Sequence, residues 1–152
     1  LGECKRHDHS DLETVVRICL ATGARWSEAE SLRKSQLAKY KITYTNTKGR
    51  KNRTIPISKE LYESLPDDKK GRLFSDCYGA FRSALERTGI ELPAGQLTHV
   101  LRHTFASHFM MNGGNILVLQ RVLGHTDIKM TMRYAHFAPD HFESVINFNP
   151  LA

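Results

Sequence analysis

Residues 98–114 read THVLRHTFASHFMMNGG, and this stretch decides how the rest of the chain is read. Thr98 can cap a helix, and Gly113 and Gly114 can stop it, so the pattern predicts a helix reaching about Asn112. At about 100 degrees per residue, Leu101, Phe105 and Phe109 share an apolar stripe, while His99, Arg102, His103 and Ala106 cluster on another side. The stripe is ordinary packing. The cluster of basic side chains beside it is the part that needs a chemical explanation.

Working outward, Ile116, Leu119 and Leu123 predict a short core helix ended by Gly124. Asp127 can cap the next helix, in which Met130 and Tyr134 are expected to share a face. Phe142, Val145 and Ile146 suggest a last small amphipathic helix begun near Pro139. Upstream, Leu12, Val15, Val16, Cys19 and Leu20 mark a helix ending at Gly23, which leaves Arg25 just past a helix end. Ser27 with Glu30 has the spacing of a capping box and predicts a second helix carrying Leu32. KITYT and RTIPI, on either side of the polar stretch NTKGRKN, predict a hairpin over 41–57 with Pro56 on an edge or near a strand end. A short helix near Leu61 and one carrying Tyr78, Phe81 and Leu85, closed by Gly89, complete the pattern. The expected fold class is α+β, mostly helical, in one domain over 1–152.

Composition bounds the partner. The 152 residues, 40% hydrophobic, suffice for one core, and 22 Lys and Arg against 16 Asp and Glu give a formal charge of +6, which favours a polyanion. Cys4, Cys19 and Cys77 are odd in number and irregularly spaced, which argues against a disulfide framework or a C-x-x-C site and suits a reducing cytoplasm. No apolar run of about 18 residues is present, and LGECKRHDHSD lacks the apolar stretch of a signal peptide, so no membrane partner is expected.

Four motifs, ATGARWSEAESL (21–32), TKGRKNRTIPI (47–57), HVLRHTFASH (99–108) and LGHTDIKMTMRYAH (123–136), resemble the successive motifs of the tyrosine recombinase, or phage integrase, family. The resemblance covers nearly the whole chain and preserves the order Arg25, Lys48, His99, Arg102, His125, Tyr134. It implies a helical catalytic domain with a small three-stranded antiparallel sheet. It also implies that Arg25 and Arg102 clamp a phosphate, that Lys48 is the hairpin lysine, that His99 and His125 are active-site histidines, and that Tyr134 is the nucleophile.

Elementary chemistry agrees with those roles. Attack on a phosphodiester builds negative charge on the non-bridging oxygens, and planar guanidinium groups can hold those oxygens by paired hydrogen bonds. A tyrosine of pKa about 10 costs roughly 4 kcal/mol to ionise at pH 7, so nearby cations and a proton acceptor are needed. His99, one helical turn from Arg102, is the expected acceptor. Lys48 can protonate the departing 5′-oxygen, and His125 can hold the phosphate in line. The product is a 3′-phosphotyrosyl bond that conserves the phosphodiester energy, so rejoining needs no ATP, and clustered cations stand in for a metal. No cofactor or metal is expected: His99 and His103 lack the carboxylate of an H-E-x-x-H site.

Around these six residues, Arg50, Lys51 and Arg53 are expected at DNA phosphates or in water, because four of the six residues 48–53 are basic. Glu28 is expected to orient Arg25 or a neighbouring backbone group, and His103 and His136 to pack or hydrogen-bond beneath the site. The resemblance further implies double-stranded DNA attachment sites, identical protomers in a tetrameric synapse, accessory DNA-bending proteins, and a temperate phage or mobile element in a bacterial cytoplasm. An amino-terminal DNA-binding domain is expected to precede Leu1. The competing expectations are a topoisomerase using the same 3′-phosphotyrosine and a DNA-binding regulator with a disabled site.

Overall fold

The computed structural model describes residues 1–6, 10–45, 51–68 and 70–152. The elements are α1 (Gly2–Lys5), α2 (Leu12–Thr22), α3 (Trp26–Glu30), a 3-10 turn at Lys34–Gln36, and strands β1 (Leu37–Ala38), β2 (Lys41–Tyr44) and β3 (Arg53–Pro56). They continue with α4 (Lys59–Glu63), α5 (Tyr78–Arg87), α6 (Val100–Met111), α7 (Ile116–Leu123), α8 (Ile128–Met132), a 3-10 turn at Ala135–Phe137, and α9 (Ser144–Phe148). The sheet is antiparallel in the order β1-β2-β3, with Lys41 opposite Pro56 and Tyr44 opposite Arg53. Pro56 closes an edge strand, where its missing N–H costs no ladder bond. No helix among the described residues is long and apolar enough to cross a membrane.

Two groups of buried side chains hold these elements together. The larger joins Leu12, Val15 and Ile18 of α2 to Leu32, Ile42, Tyr44, Leu73 and Phe81. Within it Trp26 stacks on Phe81, with ring centroids 4.6 Å apart. The smaller group comprises Ala106, Met110, Leu119, Leu123 and Tyr134, with Phe105 and Phe109 packed against it. Helix α6 serves both, because Val100 and Leu101 lean on the first group while Ala106 and Met110 belong to the second. That double role lets one helix carry basic side chains into the seam between the two.

The helix starting after Gly23 is displaced from its expected register. Its capping box is formed by Arg25 and Glu28, whose Oε2 accepts the Arg25 backbone N–H at 2.9 Å. Glu30 cannot serve, because its Oε2 accepts from Trp26 Nε1 at 2.9 Å and from the Cys77 backbone N–H at 3.0 Å. Leu32 accordingly lies beyond the helix, fully buried. A second correction concerns Tyr134. Helix α8 ends at Met132, so Met130 is 44% exposed while Tyr134 turns inward and is 5% exposed. The expected shared face does not exist.

Gly23 closes α2 in the left-handed conformation, φ 67°, and a Cβ there would lie 2.5 Å from Phe105 Cδ1 and 3.0 Å from Leu123 Cδ2. Gly23→Ala is therefore expected to lose at least ~2 kcal/mol from combined backbone strain and overpacking, measurable as a lowered urea midpoint. An unchanged midpoint would show that α6 can yield at this contact.

Candidate active site

Arg25, His99, Arg102, His103, His125 and Tyr134 line one cleft of about 350 Å³, together with Lys129, Met130 and Arg133. Each side chain arrives from a different local device. Arg25 is the N-cap residue of α3, held by Glu28 both through its backbone and through a 3.4 Å contact from Nη1 to Oε1. Arg102 is 6% exposed within α6. Its Nη1 donates to Gly23 O at 2.8 Å and its Nη2 to Leu123 O, which ties the guanidinium to the ends of α2 and α7. Burial, then the neighbouring charge of Arg25, lowers its pKa to about 10, which still leaves it protonated at neutral pH.

His125 follows Gly124, the left-handed residue that ends α7, and its Nδ1 lies 2.8 Å from the Thr131 hydroxyl. Thr131 is fully buried, so the imidazole takes its orientation from a fixed partner. His99 is the N-cap residue of α6, exposed, with its ring centroid 6.0 Å from that of His103. Tyr134 packs in the smaller core with Arg133 over its ring at 5.7 Å. Burial raises the Tyr134 pKa, and the charges of Arg133 and Arg102 oppose that rise.

The Tyr134 hydroxyl is hydrogen-bonded to His103 Nδ1, one turn along α6 from His99, the histidine expected to accept its proton. The opposite ring nitrogen, Nε2, faces Gln96 Oε1 at 3.1 Å. Burial lowers the His103 pKa, and Arg133, His99 and Arg102 lower it further, all of which favour the neutral ring. The sequence marks His99 and His103 as sharing a helix face, but the Gln96 and Tyr134 contacts join separate segments and leave no local signal. Lys129 and Arg133 also line the cleft, and their spacing of four residues is the one local signal for them in the sequence.

Three expectations about supporting residues meet different outcomes. Glu28 does anchor Arg25. Arg53, expected at phosphates or in water, is instead 7% exposed and donates to Glu28 from Nη1 at 3.1 Å and Nη2 at 2.9 Å, with its guanidinium 5.3 Å from the Tyr44 ring centre. The cause is strand phase: Arg53, Ile55 and Ile57 alternate onto the buried face. Burial would raise the Glu28 carboxyl, but the Arg53 hydrogen bonds, the Arg25 backbone N–H and both guanidinium charges outweigh it and hold the group below its ordinary value. His136, expected beneath the site, is exposed along a second cleft that His103 also borders, its ring tilted against that of Phe137 with centroids 4.1 Å apart. Lys51 is exposed two residues before β3, and Lys48 and Arg50 lie outside the described residues.

Known proteins share this sequence and fold. Residues 2–73 and 67–141 match the profile of the phage integrase family. The chain is 94% identical over 151 residues to the integrase of Escherichia phage 186, covering 99% of this chain and 45% of that protein. It is 68% identical over 152 residues to the integrase of Haemophilus phage HP1, covering all of this chain and 45% of the relative. The catalytic domain of bacteriophage HP1 integrase superposes with a TM-score of 0.95 at 67% identity, covering 99% of this chain and 89% of that one. The chain thus spans a little under half the length of the curated relatives it matches. Agreement in profile, sequence and fold over nearly all of its length leaves one conclusion: the chain belongs to the phage integrase family.

Proposed function

We propose that this chain is the catalytic part of a site-specific recombinase, an integrase that cuts and rejoins duplex DNA through a 3′-phosphotyrosyl intermediate. One observation carries the reading: a phenol lines the same cleft as three arginines, a lysine and three histidines. Arg25 and Arg102 are set to grip the non-bridging oxygens of a phosphodiester, and His125 to hydrogen-bond one of them. Tyr134 Oη attacks phosphorus, the bond to the 5′-oxygen breaks, and the leaving oxygen takes a proton from the Lys48 ammonium. A 5′-hydroxyl from a second DNA end reverses these steps and restores the tyrosine. The test is a nicked suicide duplex built on the attachment site of phage 186. A stable adduct at the 3′ end is expected, whereas relaxation of supercoils without site preference would favour a topoisomerase.

The partners follow from the same reading. Lys51 and the +6 formal charge suit contacts with DNA phosphates, and the greater length of the relatives accommodates an amino-terminal DNA-binding domain. Phe142, Ile146 and Phe148 are 80, 72 and 86% exposed around α9, an apolar surface suited to docking on a neighbouring protomer in a tetrameric synapse. Removing residues 139–152 is expected to weaken self-association by roughly tenfold or more, read by analytical ultracentrifugation with DNA present, and to depress strand exchange more than cleavage. Unchanged association and exchange would count against a tail that acts between protomers.

A further inference from the structure

We propose that His103 Nδ1 is the proton acceptor for the attacking phenol, and that Gln96 is a positioning residue that keeps that nitrogen unprotonated toward Tyr134. The inference rests on the reading of Tyr134 as nucleophile. A neutral imidazole has one N–H and one acceptor nitrogen, and the partner of the first decides which is which. Gln96 Oε1, 3.1 Å from Nε2, accepts the N–H there, so Nδ1 is left to accept from the Tyr134 hydroxyl it touches. His99 makes no such contact and stands exposed at the helix start.

The surroundings keep the acceptor ready. The charged and titratable groups lining the two clefts that His103 borders are Arg102, His99 and His108 from its own helix and cap, Arg25 from the start of α3, His125 and Lys129 from α8 and the turn before it, and Arg133, Tyr134 and His136 from the segment after α8, with Gln96 on the turn before α6. No carboxylate lines either of the clefts that His103 borders, so nothing among the described residues there draws a resting proton onto the ring. In the step itself the phenolic proton passes to Nδ1 as the bond from Oη to phosphorus forms. The 5′-oxygen leaves with the proton of Lys48, and religation returns both protons.

The experiment is the pH dependence of single-turnover adduct formation by the 152-residue chain on the nicked phage 186 duplex. His103→Phe is expected to slow it on the order of 10²-fold. His103→Asn places an oxygen near the position of Nδ1 that can accept a hydrogen bond but not a proton, and is expected to be slow as well. Gln96→Glu sets a carboxylate against Nε2, raises the proton affinity of His103, and moves the acid limb of the profile to higher pH by about one unit. A 5′-thio leaving group, which departs without a proton, should leave the His103 defect in place. The proposal is overturned if His103→Asn reacts at the wild-type rate, if the Gln96→Glu limb coincides with the wild-type limb, or if the 5′-thio substrate restores His103→Phe. Thermal melting and DNA binding of each variant identify any loss of folding, and the Gln96→Glu limb remains decisive if His103→Phe does not fold. Adducts formed by Tyr134→Phe would instead remove the underlying reading.

Discussion

Tyr134→Phe is expected to bind duplex DNA as tightly as the parent chain and to form no covalent adduct with it, a loss of at least about 10⁴-fold in cleavage. The substitution removes one oxygen and nothing else. The ring keeps its place in the core with Met110, Leu119 and Leu123, and Arg133 keeps its position over the ring face. The charges that would grip phosphate belong to other residues, so affinity is untouched. The structural cost is the hydrogen bond to His103 Nδ1, worth about 1 kcal/mol for a neutral pair. Electrophoresis of a suicide-substrate reaction under denaturing conditions reads the outcome. Retention of the adduct by the phenylalanine variant would mean that another group attacks phosphorus.

The second large effect concerns stability. Arg53→Ala strips the part-buried Glu28 carboxylate of two hydrogen bonds while Arg25 still holds it, and breaking one side of a fully buried pair costs about 3–5 kcal/mol, which sets the upper bound here. That is a large share of the 5–15 kcal/mol typical of a domain, so the denaturation midpoint should fall steeply. The effect depends on pH with a definite sign. Glu28 has a folded pKa held below its unfolded value of about 4.3, so its stabilising contribution is complete above that value and disappears as pH falls through the folded pKa. The difference between parent and Arg53→Ala should therefore narrow in acid. A double variant, Glu28→Met with Arg53→Met, should regain part of the stability but not the cleavage rate, because Arg25 still loses its anchor. If Arg53→Ala unfolds like the parent and only weakens DNA binding, the residue faces the nucleic acid after all.

What could be read ahead of the structure divides along a physical line. The ends of α2 and α7 at Gly23 and Gly124, and the start of α8 at Asp127, are local matters of backbone conformation and side-chain caps, and they stand where the residues indicate. The β2–β3 pairing also follows from its own β-rich runs, and the helix carrying Arg102 and His103 was legible from its periodicity and its glycine stop, although it is entered through His99 rather than the expected cap Thr98. Choices made by distant partners were not. Glu30 was claimed by Cys77, which moved the capping box to Glu28, and Tyr134 was drawn out of line with Met130 by the core around Leu119. Arg53 is the instructive case: its charge argues for solvent, while its alternation with Ile55 and Ile57 argues for burial, and alternation wins because Glu28 waits on the inner face. The bond from Tyr134 to His103 needed coordinates, since it joins two motifs across the cleft.

The attachment of Arg102 to the Gly23 and Leu123 carbonyls has one more implication. Both oxygens stand at the carboxyl-terminal ends of helices, where aligned peptide dipoles concentrate partial negative charge. A guanidinium seated there is compensated only fractionally, so most of its positive potential remains available to an incoming anion. Carbonyl groups also carry no proton to gain or lose. The seat of this cation is therefore indifferent to acidity for as long as α2 and α7 keep their ends in place.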